Sequence, residues 1–180
     1  VLTTMSGYLN LGISLWYLSD FLKAEKFFFS GLQIALKKGK REYEVVFRNN
    51  IGNVYHMQGK MEQAMEYYQD ALDIYKQIGN SLGQANAIDN IGVVYTDRGK
   101  FEEALKFHQT ALDIYKKSGY LNGQANCFGN IGTVYAQQGK FEEAMRFYQM
   151  SLKISKQIGN IHGQAISLNN IGIVYKEQGK

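Results

Sequence analysis

The same six-residue segment returns every 40 residues along this chain of 180. Asn50-Ile51-Gly52-Asn53-Val54-Tyr55 comes back as Asn90-Ile91-Gly92-Val93-Val94-Tyr95, as Asn130-Ile131-Gly132-Thr133-Val134-Tyr135 and as Asn170-Ile171-Gly172-Ile173-Val174-Tyr175. A weaker copy, Asn10-Leu11-Gly12-Ile13-Ser14-Leu15, opens the series. Two further landmarks keep the phase: Gly59-Lys60, Gly99-Lys100, Gly139-Lys140 and Gly179-Lys180, and the glycines Gly39, Gly79, Gly119 and Gly159. A period of this length marks a repeat architecture, in which each unit buries its apolar face against its neighbours.

Within one period the landmarks separate two helices. Ile88, Ile91 and Tyr95 have helical spacing in about 81–98. Phe101, Ala104, Leu105, His108, Ala111, Leu112 and Tyr115 form a broad stripe in about 101–118. Gly99 and Gly119 suit the left-handed position that ends a helix. A third set, Gly12, Gly52, Gly92, Gly132 and Gly172, falls inside the first helix, where glycine costs about 1 kcal/mol relative to alanine. Close packing of the second helix is the expected compensation.

The chain has no proline, which agrees with an all-helical fold because proline breaks helix interiors. Its net charge of +4 is too mild to imply nucleic acid. One cysteine, Cys127, excludes an internal disulfide and fits a reducing, cytoplasmic setting. No apolar run approaches the roughly 18–20 residues that cross a bilayer.

These residues resemble the tetratricopeptide repeat, in which a large residue, a glycine and a tyrosine mark the first helix, and small residues flank an aromatic in the second. Ile91, Gly92, Tyr95, Ala104, His108 and Ala111 hold those places. The neighbouring repeats offer Ile51, Gly52, Tyr55, Ala64, Tyr68 and Ala71, and Ile131, Gly132, Tyr135, Ala144, Tyr148 and Ser151. The first repeat is degenerate, with Leu11, Gly12, Leu15, Ala24, Phe28 and Gly31. Two departures stand out: the period is not the common one of about 34 residues, and the usual closing proline is absent. Both are similar to the long-helix subgroup of the Pins and LGN scaffolds. The resemblance implies an all-α, right-handed α-α superhelical solenoid of about nine helices. It forms one array over 1–180, with repeats about 1–40, 41–80, 81–120, 121–160 and a half repeat 161–180. The array is expected to be a fragment of a longer protein, uncapped at both ends. The last helix should then expose Ile171, Val174 and Tyr175, and Phe29 should be exposed where later repeats carry Gln69, Gln109 and Gln149. End-to-end packing, helix exchange or oligomerisation would follow.

Catalytic sets are not apparent, and no enzyme is expected. His56, His108 and His162 share no metal-ligand spacing with one another or with Cys127, so no metal and no cofactor are expected. His108 reads as a replacement for the second-helix aromatic. The Gly-Lys pairs fail as phosphate loops, because Phe101 and Phe141 follow where Ser or Thr is needed. Glu102-Glu103 and Glu142-Glu143 suit the positive end of a helix dipole. The cluster Lys37, Lys38, Lys40 and Arg41 is either a solvated helix end or an anion-binding patch.

The asparagines are the informative signal. Asparagine is a poor helix-interior residue, yet Asn10, Asn50, Asn90, Asn130 and Asn170 recur in phase. Around Asn90, helical geometry puts Asn86, Asp89, Val93, Thr96 and Asp97 on a face other than that of Ile88, Ile91 and Tyr95. The resemblance implies that this face lines a concave groove and that its asparagine bonds the backbone of a bound peptide. Alternatively each asparagine bonds a neighbouring helix. By phase the groove also takes Ser6, Leu9, Ile13, Trp16 and Tyr17 in the first repeat, Val46, Asn49, Asn53, His56 and Met57 in the second, Asn126, Gly129, Thr133, Ala136 and Gln137 in the fourth, and Ile166, Asn169, Ile173, Lys176 and Glu177 in the fifth. Trp16 and Tyr17 are either an apolar anchor for the ligand or cover for an upstream repeat. The expected function is a protein–protein interaction scaffold that holds a peptide or protein segment, with no nucleic acid and no membrane as partner. The alternative is a regulatory or sensory arm of a larger signalling enzyme.

Overall fold

The computed structural model describes residues 4–179; Lys180 of the last Gly-Lys landmark and the outermost ends of the expected array lie outside them. Among the described residues there are nine α-helices and no strand: α1 (Met5–Tyr17), α2 (Phe21–Lys37), α3 (Arg41–Met57), α4 (Met61–Gln77), α5 (Ser81–Asp97), α6 (Phe101–Lys117), α7 (Leu121–Gln137), α8 (Phe141–Gln157) and α9 (Ile161–Glu177). From α2 onwards every helix has 17 residues and every connection has three. Two such units make the 40-residue period. Turns this short return a helix against its predecessor, as α2 on α1, α4 on α3 and α8 on α7.

The chain divides into two compact units, Val1–Ala87 and Ile88–Lys180. In the first, α2 packs on α1 and α3, and α3 packs on α4. Its core includes Ala24, Phe28, Phe47, Ile51, Val54, Ala64, Tyr68 and Ala71. In the second, α7 packs on α6 and α8, and α9 lies against α8 and α7. Ala104, His108, Ala111, Leu112, Ile131, Val134, Ala144 and Tyr148 fill that core.

The turn glycines adopt φ between 61° and 74°, a conformation that side chains disfavour. In the first repeat Ser19 takes the same conformation at φ 60°. The lysine after the glycine has a use that the sequence did not reveal. Lys60, Lys100 and Lys140 each donate a backbone N–H to the carbonyl of Tyr55, Tyr95 and Tyr135, at 2.9 Å. Each ammonium also lies 5.0–6.0 Å from the centre of that same tyrosine's ring. Backbone bond and cation–π contact together close each helix end.

The glycines inside the first helices are notches for aromatic rings. A Cβ at Gly52 would stand 2.6 Å from the Tyr68 ring, one at Gly92 2.7 Å from the His108 imidazole, and one at Gly132 2.7 Å from the Tyr148 ring. Gly12 receives Phe28 in the same way. Gly123, which the repeat reading passed over, seats the Tyr115 ring at 2.6 Å. Gly172 has nothing within 4 Å.

Two expectations about exposure need correction. Val174 is buried and Ile171 half-buried against Ala144 and Tyr148, because α9 turns that edge onto α8; its exposed apolar residues are Ile161, Ile166, Leu168, Ile173 and Tyr175. Phe29 is half-buried, because its ring inserts edge-on between Tyr55 and Tyr67 at 6.5 and 6.1 Å.

Candidate functional site

The asparagine positions do different local work. In unit 1, Asn10 is exposed, and Asn50 donates to the carbonyl of Val46 in its own helix at 2.8 Å. Asn53 accepts the Tyr68 hydroxyl at 2.9 Å, and Asn49 is half-buried beside them on α3. Asn86 is exposed on α5. Trp16 is half-buried, with its ring edge-on to Tyr17 at 5.1 Å, and Tyr17 is 75% exposed.

In unit 2, Asn90 is half-buried, whereas Asp97, Asn126 and Asn169 are exposed. Asp89 departs from the expected groove face: it is buried. The cause lies in α6. His108 puts two ring nitrogens into a slot that elsewhere takes an aromatic carbon face, and buried nitrogens need partners. Asp89 Oδ1 lies 2.6 Å from His108 Nδ1. The Thr96 hydroxyl donates to the Gly92 carbonyl at 2.9 Å and lies 3.4 Å from His108 Nε2. Cys127 Sγ donates to Asp89 Oδ1 at 3.4 Å, and Asn130 Nδ2 donates to Asp89 Oδ2 at 3.0 Å. Burial, and then the Asp89 charge, push the thiol of the fully buried Cys127 well above its ordinary range. Asn130 thus bonds across to the preceding first helix, as the structural alternative for the asparagines required.

A signal for this cluster was present in the sequence. The one repeat with histidine at the second-helix aromatic position is the one with aspartate at position 89; the equivalent positions hold Asn49 and Gly129. Repeats read as near-copies concealed the pair that varies together.

The groove residues do converge at one place. A cleft of about 360 Å³ in unit 2 is lined by Thr133, Ala136 and Gln137 of α7, by Phe141 and Tyr148 of α8, and by Asn170, Ile173, Val174 and Glu177 of α9. Six of these, Thr133, Ala136, Gln137, Asn170, Ile173 and Glu177, are positions expected on the groove face. Tyr148 donates its hydroxyl to Thr133 Oγ1 at 3.2 Å, which ties α8 to the α7 wall. The lining offers amide and hydroxyl groups over an aromatic floor, with one carboxylate. Among the described residues no cluster of His, Cys, Asp or Glu could hold a metal ion, and no helix is long and apolar enough to cross a membrane.

Residues 3–77, 83–157 and 130–180 match the tetratricopeptide repeat, and the chain belongs to that family. Among curated protein sequences none matches it. Solved structures share its fold. A Rap protein complexed with competence and sporulation factor matches with TM-score 0.84 and 19% identity, over 97% of this chain and 49% of that one. Aspartyl phosphate phosphatase F from Bacillus subtilis matches with TM-score 0.81 and 13% identity, over 95% and 44%. BtubC (BKLC) from P. vanneervenii matches with TM-score 0.75 and 22% identity, over 97% and 72%.

Proposed function

We propose that this chain is a protein–protein interaction scaffold that holds a peptide or protein segment against its asparagine-bearing first helices. The observation that carries the reading is the α7–α9 cleft, where six groove positions surround an aromatic floor. Asn170 and Gln137 can each donate and accept, which suits the backbone of an extended segment. A Rap protein of the same fold is known in complex with competence and sporulation factor, which agrees with this use. We place the chain in the long-helix subgroup similar to Pins and LGN, as a cytoplasmic, non-catalytic module that takes no nucleic acid and no metal. Exposed Ile161, Ile166, Leu168, Ile173 and Tyr175 on α9 support a tendency to self-associate.

A displayed library of unstructured peptides, selected on the folded chain, tests the reading. The double variant Gln137→Ala with Asn170→Ala should weaken a selected peptide on the order of 10-fold to 100-fold, at roughly 0.5–1.5 kcal/mol per bond. Its melting temperature should stay within a degree or two of the parent, since the cleft-facing amides support the peptide and not the stack. Failure to enrich any peptide, or full affinity in the folded variant, sinks the α7–α9 cleft as the binding site.

A further inference from the structure

A second cleft, of about 440 Å³, opens in unit 2 between α6, α7 and α8. Its lining is Leu105, Lys106, Gln109, Thr110, Ile131, Tyr135 and Phe147, none of which lines the α7–α9 cleft. The Tyr135 and Phe147 rings stack in it, 5.4 Å apart and 15° from parallel.

The chain itself shows what such a cleft accepts. Eighty residues earlier in the repeat pattern, Tyr55 and Tyr67 take the places of Tyr135 and Phe147, and Phe29 takes the place of Gln109. There the Phe29 ring occupies the cleft, edge-on to both tyrosines, and the tyrosine pair is tilted by 55° instead of stacked. In unit 2 the plug is missing. Gln109 folds back along its own helix and donates to Asp113 Oδ1 at 2.8 Å. The remaining pair relaxes to a stack, and the space is left open.

One difference from unit 1, and one charge that both units share as Lys26 and Lys106, define the guest. Leu105 stands where unit 1 has Glu25, which makes the unit 2 cleft more apolar. Lys106 is the one charged residue in the lining, and it is exposed at the rim. We propose that this cleft is a docking site for an aromatic side chain of a partner polypeptide with an acidic residue next to it. The ring takes the position that Phe29 holds in unit 1, edge-on to Tyr135 and Phe147. The neighbouring carboxylate meets Lys106.

The blocked dipeptide Ac-Phe-Asp-NH2 is the probe, followed by NMR on the full chain. Ring-current shifts are expected at Thr110 and Ile131, with half-saturation in the low millimolar range. Ac-Leu-Asp-NH2 should bind roughly 2- to 12-fold more weakly, the range set by an edge-to-face aromatic contact. Ac-Phe-Lys-NH2 should bind about 2- to 5-fold more weakly at low salt, and that preference should vanish in Lys106→Gln. Gln109→Phe should supply the missing plug: it abolishes the shifts and raises the melting temperature. Because Gln109 is exposed, a Gln109→Ala variant, which keeps the cleft open, should still bind. No shifts at Thr110 and Ile131 up to about 10 mM probe, or shifts that persist in a folded Gln109→Phe, would overturn the proposal. Peptide binding in the α7–α9 cleft should be untouched by Gln109→Phe, so either site can fail alone.

Discussion

In unit 1 the notch at Gly52 receives the ring of Tyr68, and in unit 2 the notch at Gly92 receives the imidazole of His108. The backbone is the same in both, and the consequences differ. Tyr68 puts its single polar atom at the rim, where it donates to Asn53. His108, which is fully buried, carries two polar atoms into the interior and obliges its surroundings to supply oxygen partners. Asp89 and Thr96 supply them, and Asp89 then draws in Cys127 and Asn130. A single exchange at one repeat position has converted an apolar slot into a polar network.

The comparison is broken most severely at Asp89. Asp89→Ala removes the partner of His108, Cys127 and Asn130 at once and should cost about 3–5 kcal/mol. Urea unfolding followed by circular dichroism measures it. His108→Tyr alone takes the nearest partner from the buried carboxylate, leaving it Cys127 and Asn130, and should destabilise by about 1–3 kcal/mol. Adding Asp89→Asn, which removes the buried charge and gives positions 89 and 108 the residues that the preceding repeat has at Asn49 and Tyr68, should return most of that loss. If His108→Tyr alone is as stable as the parent, the histidine slot imposes no such demand.

A smaller effect distinguishes a filled notch from an open one. Gly132→Ala forces the Tyr148 ring to move and should cost about 1–3 kcal/mol. Gly172→Ala meets nothing within 4 Å and should stabilise α9 by up to about 1 kcal/mol, since glycine is the poorer helix former. Equal melting temperatures for the two variants would remove the notch from the account.

The smallest effect is expected in alkali. Burial raises the Cys127 thiol above its ordinary 9.0, and Tyr55 is pushed up from 10.0 to about 12. Both groups ionise earlier in the unfolded chain, which therefore gains stability first as protons leave. Melting temperature should be level from pH 7 to about 9 and then fall towards pH 12. Cys127→Ala should delay the onset of the fall by about one pH unit, which a thermal scan across pH resolves. An identical profile in parent and variant contradicts the assignment.

Helix number, turn positions and pairing were legible because each rests on local chemistry repeated in phase: glycine at the stops, and a 3.6-residue apolar stripe between them. The close approach of the second helix at Gly52, Gly92 and Gly132 was also legible, whereas the rings of Tyr68, His108 and Tyr148 as the contacting groups were not read from it. Thr133, Gln137 and Asn170, which helical phase put on one helix face, lie together in the lining of the α7–α9 cleft. Phase failed at Asp89 and Thr96, because it gives a direction and not the depth to which a partner's nitrogen draws a side chain. It failed at Phe29 because exposure was judged from the polar residues at Gln69, Gln109 and Gln149. A phenylalanine in that place finds two tyrosines from the neighbouring pair.

The seated ring also has a consequence for length. Tyr148 rests over Gly132 only if α8 holds its rotation about its own axis and its height along α7. One residue inserted within α8 ahead of Tyr148 would swing that ring by about 100° and press it away from the notch. The array can therefore tolerate an altered residue more readily than an added one. Changes in length belong in the three-residue turns, and the 40-residue period is a setting that each ring checks against its own glycine.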